Sequence, residues 1–216
     1  MDLCAAITYT MVEDIVLKDE ITGEEDGLVL MVSEPPSRDI AEQLADLQTL
    51  KGSGFISMLR EITQHRAFCL LEGESNIYIT GGKKEDDYDN LLNAARKAVE
   101  HGYRVYILPN PKGIRTADFI FERKGVYKMF DLKTISGKSS ARNRLMESIG
   151  QTNHVILNMT TNYDPRLLAK DIQLYFETNK EAREVLIIKG NKFLSVSRRF
   201  VEGRYYIKMF MKRYLR

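Results

Sequence analysis

The stretch from Arg104 to Ile135 constrains this chain's fold more than any other, because it places three extended segments in succession with only two breaks between them. Arg104–Leu108 reads as a strand. Pro109, Asn110, Pro111, Lys112 and Gly113 form a loop, since two prolines and a glycine cannot sustain a ladder. Ala117–Glu122 and Val126–Ile135 are joined by a short turn at Arg123, Lys124 and Gly125, which makes them an antiparallel β-hairpin. A sheet must therefore run through this part of the molecule.

The flanks carry helical periodicity. Asp86 to His101 places Leu91, Leu92, Ala95, Ala98 and Val99 on one face, and Gly102 suits the left-handed position that ends a helix. After the hairpin, Ser139 or Ser140 can cap a helix carrying Ala141, Leu145, Met146 and Ile149, and Val155–Met159 is a buried strand. Asp164 followed by Pro165 starts another helix, running to about Thr178 with Leu167, Leu168, Ile172 and Phe176 inward. Glu184–Lys189 and Lys192–Val196 form a second hairpin through Gly190-Asn191. The order is helix, three strands, helix, strand, helix and hairpin.

The region before Lys84 is less regular. It reads as a turn at Glu24–Gly27, a strand at Leu28–Val32 and a break at Pro35, Pro36 and Ser37. Next come a helix with Ile40, Leu44, Leu47 and Leu50, and a second with Ile56, Leu59 and Ile62 on one face. Short strands at Ala67–Leu71 and Asn76–Thr80 follow. These patterns predict an α/β fold with a mixed (α+β) sheet, divided into an acidic N-terminal α+β region at 1–83, a core domain at 84–197 and a basic C-terminal helix at 198–216.

Charge follows this division. Residues 1–85 hold seven basic and sixteen acidic side chains, net −9, while residues 86–216 hold 25 and 14, net +11. A basic lobe favours a polyanionic partner through counterion release. With 44% hydrophobic and 29% charged residues, and no apolar run near the roughly 18 residues a membrane span needs, the chain reads as a globular protein without a membrane partner. Met1 to Ile15 lacks the pattern of a secretory leader, and Cys4 and Cys69 lack metal-ligand spacing, so a reduced, cytoplasmic protein is expected. His65, His101 and His154 are scattered and read as structural or solvent-facing. The segment NIYITGG before a helix hints at a nucleotide-binding unit, but it has no GxGxxG, and Lys83 to Asp87 brings acids to the helix N-terminus where a phosphate would sit.

The chemistry gathers at the hairpin. Residues i and i+2 of a strand share a face, so Asp131 and Lys133 project together while Leu132 turns into the core with Phe130. Antiparallel pairing brings Asp118, at the start of the preceding strand, to the same end. Two close carboxylates, joined by the Leu132 carbonyl, suit a hard divalent cation. Such an ion polarises a phosphodiester and lowers the pKa of its water, with Lys133 orienting hydroxide or stabilising charge on the phosphate. The bland alternative is an exposed strand pair and a hairpin acid. Lys112, Arg115, Arg142 and Arg144 are candidate phosphate contacts, each of which also serves as an ordinary solvated cation. In the basic tail, Tyr206, Phe210 and Tyr214 recur every four residues, as in a packed helix face.

RVYILPNPKGIRTADFIFERKGVYKMFDLKT, with its helix, strand, strand, strand context and the following helix and strand, resembles the PD-(D/E)XK nuclease superfamily. More closely, residues 86–160 resemble the C-terminal nuclease domains of contact-dependent growth inhibition toxins, with a similar VYLLP strand, a D-x-K strand and a glutamine before the next strand, matched by IGQTNHVILNM. The resemblance implies a restriction-endonuclease-like αβββαβ core. It also implies Asp118 and Asp131 as metal ligands, Lys133 as catalytic lysine and Gln151 as an auxiliary group near the phosphate. The metal would be Mg²⁺ first, with Mn²⁺ or Zn²⁺ as alternatives. The partners it implies are DNA or RNA, tRNA included, and an immunity or inhibitor protein for a toxin. The sequence departs from the family at the first helix, where Asn90 stands at the usual glutamate position with Asp89 beside it, and Ala117 stands in place of the proline. The alternative function is a catalytically silent nucleic-acid-binding or assembly module on the same fold.

Overall fold

The computed structural model describes residues 38–81, 87–111, 113, 116–137 and 140–216. The expected turn at Glu24–Gly27 and strand at Leu28–Val32 lie outside the described residues, as do Lys112 and Arg115. Asp39–Arg216 forms one compact unit.

Two helices come first. α1 (Ile40–Leu47) starts where the Asp39 side chain accepts the Ala41 N–H, and α2 (Gly52–Thr63) buries Leu59 and Ile62. Ile56, expected on that inward face, is 44% exposed, so the buried stripe is narrower than its spacing suggested. β1 (Phe68–Leu70) and β2 (Ile77–Thr80) follow, then α3 (Tyr88–Glu100), β3 (Arg104–Ile107), β4 (Phe119–Arg123) and β5 (Val126–Ile135). The rest is α4 (Ser140–Glu147), β6 (His154–Met159), α5 (Pro165–Thr178), β7 (Glu184–Lys189), β8 (Lys192–Ser197), α6 (Arg198–Val201) and α7 (Tyr206–Leu215). The expected succession of helix, three strands, helix and strand is present from α3 to β6. Among the described residues no helix is long and apolar enough to cross a membrane.

The strands form one eight-stranded sheet in sequence order, and the fold is mixed α/β. β2–β3, β5–β6 and β6–β7 are parallel, and the other neighbours antiparallel. The β2–β3 ladder joins residues on both sides of the expected division at 83/84, so the sheet runs across it rather than stopping there. The β4–β5 hairpin turns through Lys124 (φ 53°) and Gly125 (φ 77°), two left-handed residues that match the twist of the strands.

Alternation along the strands sorts the core into two faces. Phe119, Phe121, Phe130, Leu132, Ile156 and Leu186 pack with the alanines of α3 on one face. The other face is covered twice. Leu44, Leu47, Leu59 and Ile62 of α1 and α2 pack on Tyr106, Ile120 and Met129, while α4, α5 and α7 pack on Ile135, Val155, Leu157, Val185 and Ile187. Two features depart from the expected pattern. Leu167 is 44% exposed, because α5 presents Leu168, Ala169, Ile172, Tyr175 and Phe176 inward instead. The basic tail is two helices rather than one, with Gly203 between them, where an added Cβ would stand 3.1 Å from the Phe200 carbonyl oxygen.

Candidate active site

β5 changes partner midway. Val126–Phe130 pairs with β4, and Asp131–Ile135 pairs with β6. β4 starts at Phe119, so no β4 residue stands opposite the Leu132 N–H, and the Asp118 carboxylate accepts that N–H through Oδ2 at 2.5 Å. Asp118 is itself fixed by its backbone: its N–H donates to Phe130 O (3.0 Å) and its carbonyl accepts from Leu108 N (2.9 Å). This last residue before β4 is thus held in register although it lies outside the strand.

Asp118 shares its face with Ile120, and Asp131 and Lys133 share theirs with Met129 and Ile135. All three therefore face the doubly covered side of the sheet, between the α1–α2 cover and the α4–α5–α7 cover. Asp131 is 3% exposed. Lys133 Nζ stands 3.1 Å from Asp131 Oδ1 and 2.9 Å from Oδ2, and donates to Gln151 Oε1 at 3.3 Å. Burial, then the negative charge of Asp131, push the Asp118 carboxyl up to about 7, against the opposing pull of the Leu132 N–H and Lys133. A carboxylate pair in that state gains from a cation between its members.

The trio opens into a cavity of about 470 Å³, where Leu132, Gln151 and Arg144 also contribute to the wall. Gln151, expected as an auxiliary group near the phosphate, reaches the lysine. Arg144 lines the wall and pairs with Glu147 at 2.9 Å. Arg142 is exposed, does not line the cavity, and faces the electrostatic field of Asp171 on α5. Asp89, the candidate first-helix acid, is exposed in the first turn of α3 and does not line the cavity; Asp87 does, with its Oδ1 accepting from Asn90. Helical geometry accounts for the difference, since residues two apart on a helix do not share a face.

Sequence reasoning also passed over Asn110, Thr116 and Ser136, which line the same cavity. Their signal is positional. Asn110 follows β3, Thr116 precedes β4 and Ser136 follows β5, so all three are polar residues just beyond the strand ends at the Asp118 edge. The histidines stay outside the site. His101 stacks on Phe193 at 4.1 Å, His65 accepts the Ala67 N–H, and His154 lies against Phe130.

Residues that could hold a metal are Asp118, Asp131 and the Leu132 carbonyl. In a strand a residue's C=O points to the same edge as its N–H, so the Leu132 oxygen is directed toward the Asp118 side. No group of three or more His, Cys, Asp or Glu gathers among the described residues, so the donor set is two carboxylates and backbone oxygen. Such a set fits Mg²⁺ or Mn²⁺, which bind through one or two carboxylates and fill their remaining positions with water and phosphate oxygens.

No family model matches the chain, and no curated protein does. Among solved structures, the chain is similar to one in a CdiA-CT/CdiI toxin and immunity complex from Burkholderia pseudomallei, at 15% identity and a TM-score of 0.41, covering 55% of this chain and 98% of that one. At that level of likeness, what the site can do is set by its own residues.

Proposed function

We propose that this protein is a divalent-metal-dependent nuclease that hydrolyses phosphodiester bonds in DNA or RNA. The observation that carries the reading is the convergence of Asp118, Asp131 and Lys133 at the point where β5 changes partner. A bound Mg²⁺ supplies Lewis acidity and a water of lowered pKa. Asp118 and Asp131 hold their oxygens on one side of the cavity, fixed by the β5 backbone and by Lys133. Lys133 keeps its ammonium between Asp131 and Gln151, placed to stabilise charge that grows on a phosphate oxygen. Gln151 acts as a positioning residue, since its amide oxygen orients the lysine. Arg144, on the wall of the cavity, meets the polymer backbone.

The test is cleavage of plasmid DNA and total tRNA with Mg²⁺, Mn²⁺ or Zn²⁺, with chelator as the blank. Asp131→Asn and Lys133→Met are each expected to lower the rate by at least about 100-fold, as removal of a group that stabilises transition-state charge does. Cleavage that survives both substitutions refutes the site. Binding without cleavage under every condition identifies the protein as the silent module instead. A toxin-like role with an immunity partner is the form of this reading that the sequence resemblance of residues 86–160 implies. Growth arrest on expression that Asp131→Asn abolishes would support it.

A further inference from the structure

We propose that the groove between α5 and α7 is a second nucleic-acid surface, which docks the phosphodiester backbone of the polymer cleaved at the Asp118–Asp131–Lys133 cavity. The identity of that polymer rests on the nuclease reading, whereas the preference for a polyanion rests on the groove's own residues.

The groove exists because of how the two helices pack. Tyr206, Phe210 and Tyr214 of α7 are buried at four-residue spacing, and the Tyr206 hydroxyl donates to Ala169 O of α5 at 3.0 Å. On α5, the inward stripe of Leu168, Ala169, Ile172, Tyr175 and Phe176 leaves Arg166 and Lys170, one turn apart, on the outer side. A groove of about 640 Å³ results, lined by Arg166, Lys170, Ile207, Lys208 and Met211.

Three of those five side chains are exposed cations, and no acid is among them. None of the three takes part in an ion pair among the described residues. Ile207 and Met211 are half-buried and give an apolar floor on which the aliphatic stems of lysine and arginine can lie while their charges reach solvent. Mutual repulsion among three clustered cations is relieved by an extended anion, and a phosphodiester backbone is one.

Position separates a nucleic acid from an anionic lipid surface. α4, α5 and α7 share one apolar core and cover the same face of the sheet as the cavity, with Arg144 of α4 at the cavity wall and Arg142 on its exposed surface. The helices that frame the groove thus cover the same face of the sheet as the cavity, with the α4 cations on that face too. A polymer backbone is the anion long enough to meet both. A phosphate contact of this kind carries no base specificity, so single-stranded and duplex forms both serve as probes.

The experiment uses the full chain in chelator and a fluorescein-labelled oligonucleotide, single-stranded and duplex, followed by anisotropy between 50 and 200 mM salt. The variant combines Arg166→Gln, Lys170→Gln and Lys208→Gln. The control, matched in charge, combines Lys51→Gln, Arg60→Gln and Arg66→Gln, three exposed cations of the α2 region. Each phosphate contact contributes about 0.7–0.9 to the salt slope, so loss of three makes the fall in affinity across that range about 20- to 40-fold smaller than for the unaltered protein. The control is expected to retain the full slope. An unchanged slope in the groove variant, or an equal loss in the control, overturns the proposal. Loss of binding to phosphatidylglycerol vesicles with oligonucleotide binding intact also overturns it and assigns the groove to a lipid surface. Since binding is read without metal, absence of cleavage would refute the nuclease reading and leave this measurement standing.

Discussion

Replacing Asp118 with asparagine should stabilise the metal-free protein while abolishing the proposed nuclease activity. The amide oxygen of Asn can still accept the Leu132 N–H, so this side-chain hydrogen bond is kept beside the backbone bond from the residue 118 N–H to Phe130 O. What disappears is a buried negative charge beside Asp131. Because the Asp118 carboxyl is pushed from 3.8 up to about 7, the folded state binds more protons than the unfolded state between those values. Stability contributed by this group is therefore present at low pH and lost as pH rises through that window. The full shift is worth at most about 4 kcal/mol at pH 8, which for a domain of this size is a ceiling of roughly 8–16 °C in Tm. Thermal unfolding in chelator, followed by circular dichroism, should show Asp118→Asn melting above the unaltered protein at pH 8, with the gap narrowing towards pH 4. Adding Mg²⁺ should raise the Tm of the unaltered protein and do less for the variant. A variant that melts lower at pH 8, or a gap that does not change with pH, would refute the reasoning.

Three further predictions concern stability. Arg198 donates to the carbonyls of Phe176 (3.0 Å) in the last turn of α5 and of Asn179 (2.6 Å) and Ala182 (3.1 Å) beyond it, so Arg198→Ala should cost about 3 kcal/mol; equal urea midpoints for the two proteins would count against that. Burial holds the His154 imidazole down at about 4, so it folds neutral, and stability is lost as pH falls from 6.5 towards 4, by up to about 3 kcal/mol. His154→Gln should flatten that acid limb, and an identical limb in both proteins would exclude His154 as its source. Lys124 holds a left-handed φ of 53° in the hairpin turn, so Lys124→Asn should raise stability by about 0.5–1 kcal/mol, measurable as a higher denaturant midpoint.

Much of this structure is readable in the sequence where local chemistry decides it. Asp164-Pro165 starts α5 because the Asp164 carboxylate accepts the Leu167 N–H at 2.7 Å, and Val126–Ile135 is a strand from end to end. Asp131 and Lys133 share a face because strand geometry allows nothing else. Other features depend on distant pairing. The NIYITGG strand before a helix hinted at a strand–helix–strand unit, but charge and composition placed a domain boundary inside it, whereas β2 lies parallel to β3 in one sheet. Periodicity gave α5 its amphipathic stripe but not its edge, which is why Leu167 proved exposed. Asp87, rather than Asp89, lines the cavity because the start of α3 sets which of two nearby acids points there, and helix starts are poorly fixed by sequence alone.

The change of partner along β5 has a consequence for folding. Asp118 belongs to the hairpin ladder, whose contacts are local, whereas Asp131 and Lys133 begin the ladder with β6, which must wait for α4 and Gln151 to come round. Closing the second ladder requires a longer loop and is the slower step. A nascent or partly unfolded chain can form the hairpin, with Asp118 at Leu132, while Asp131 and Lys133 still lack β6 and Gln151, and so has an incomplete site. Activity in this molecule would then act as a logical AND gate on the two halves of its sheet, with partly folded forms silent by construction.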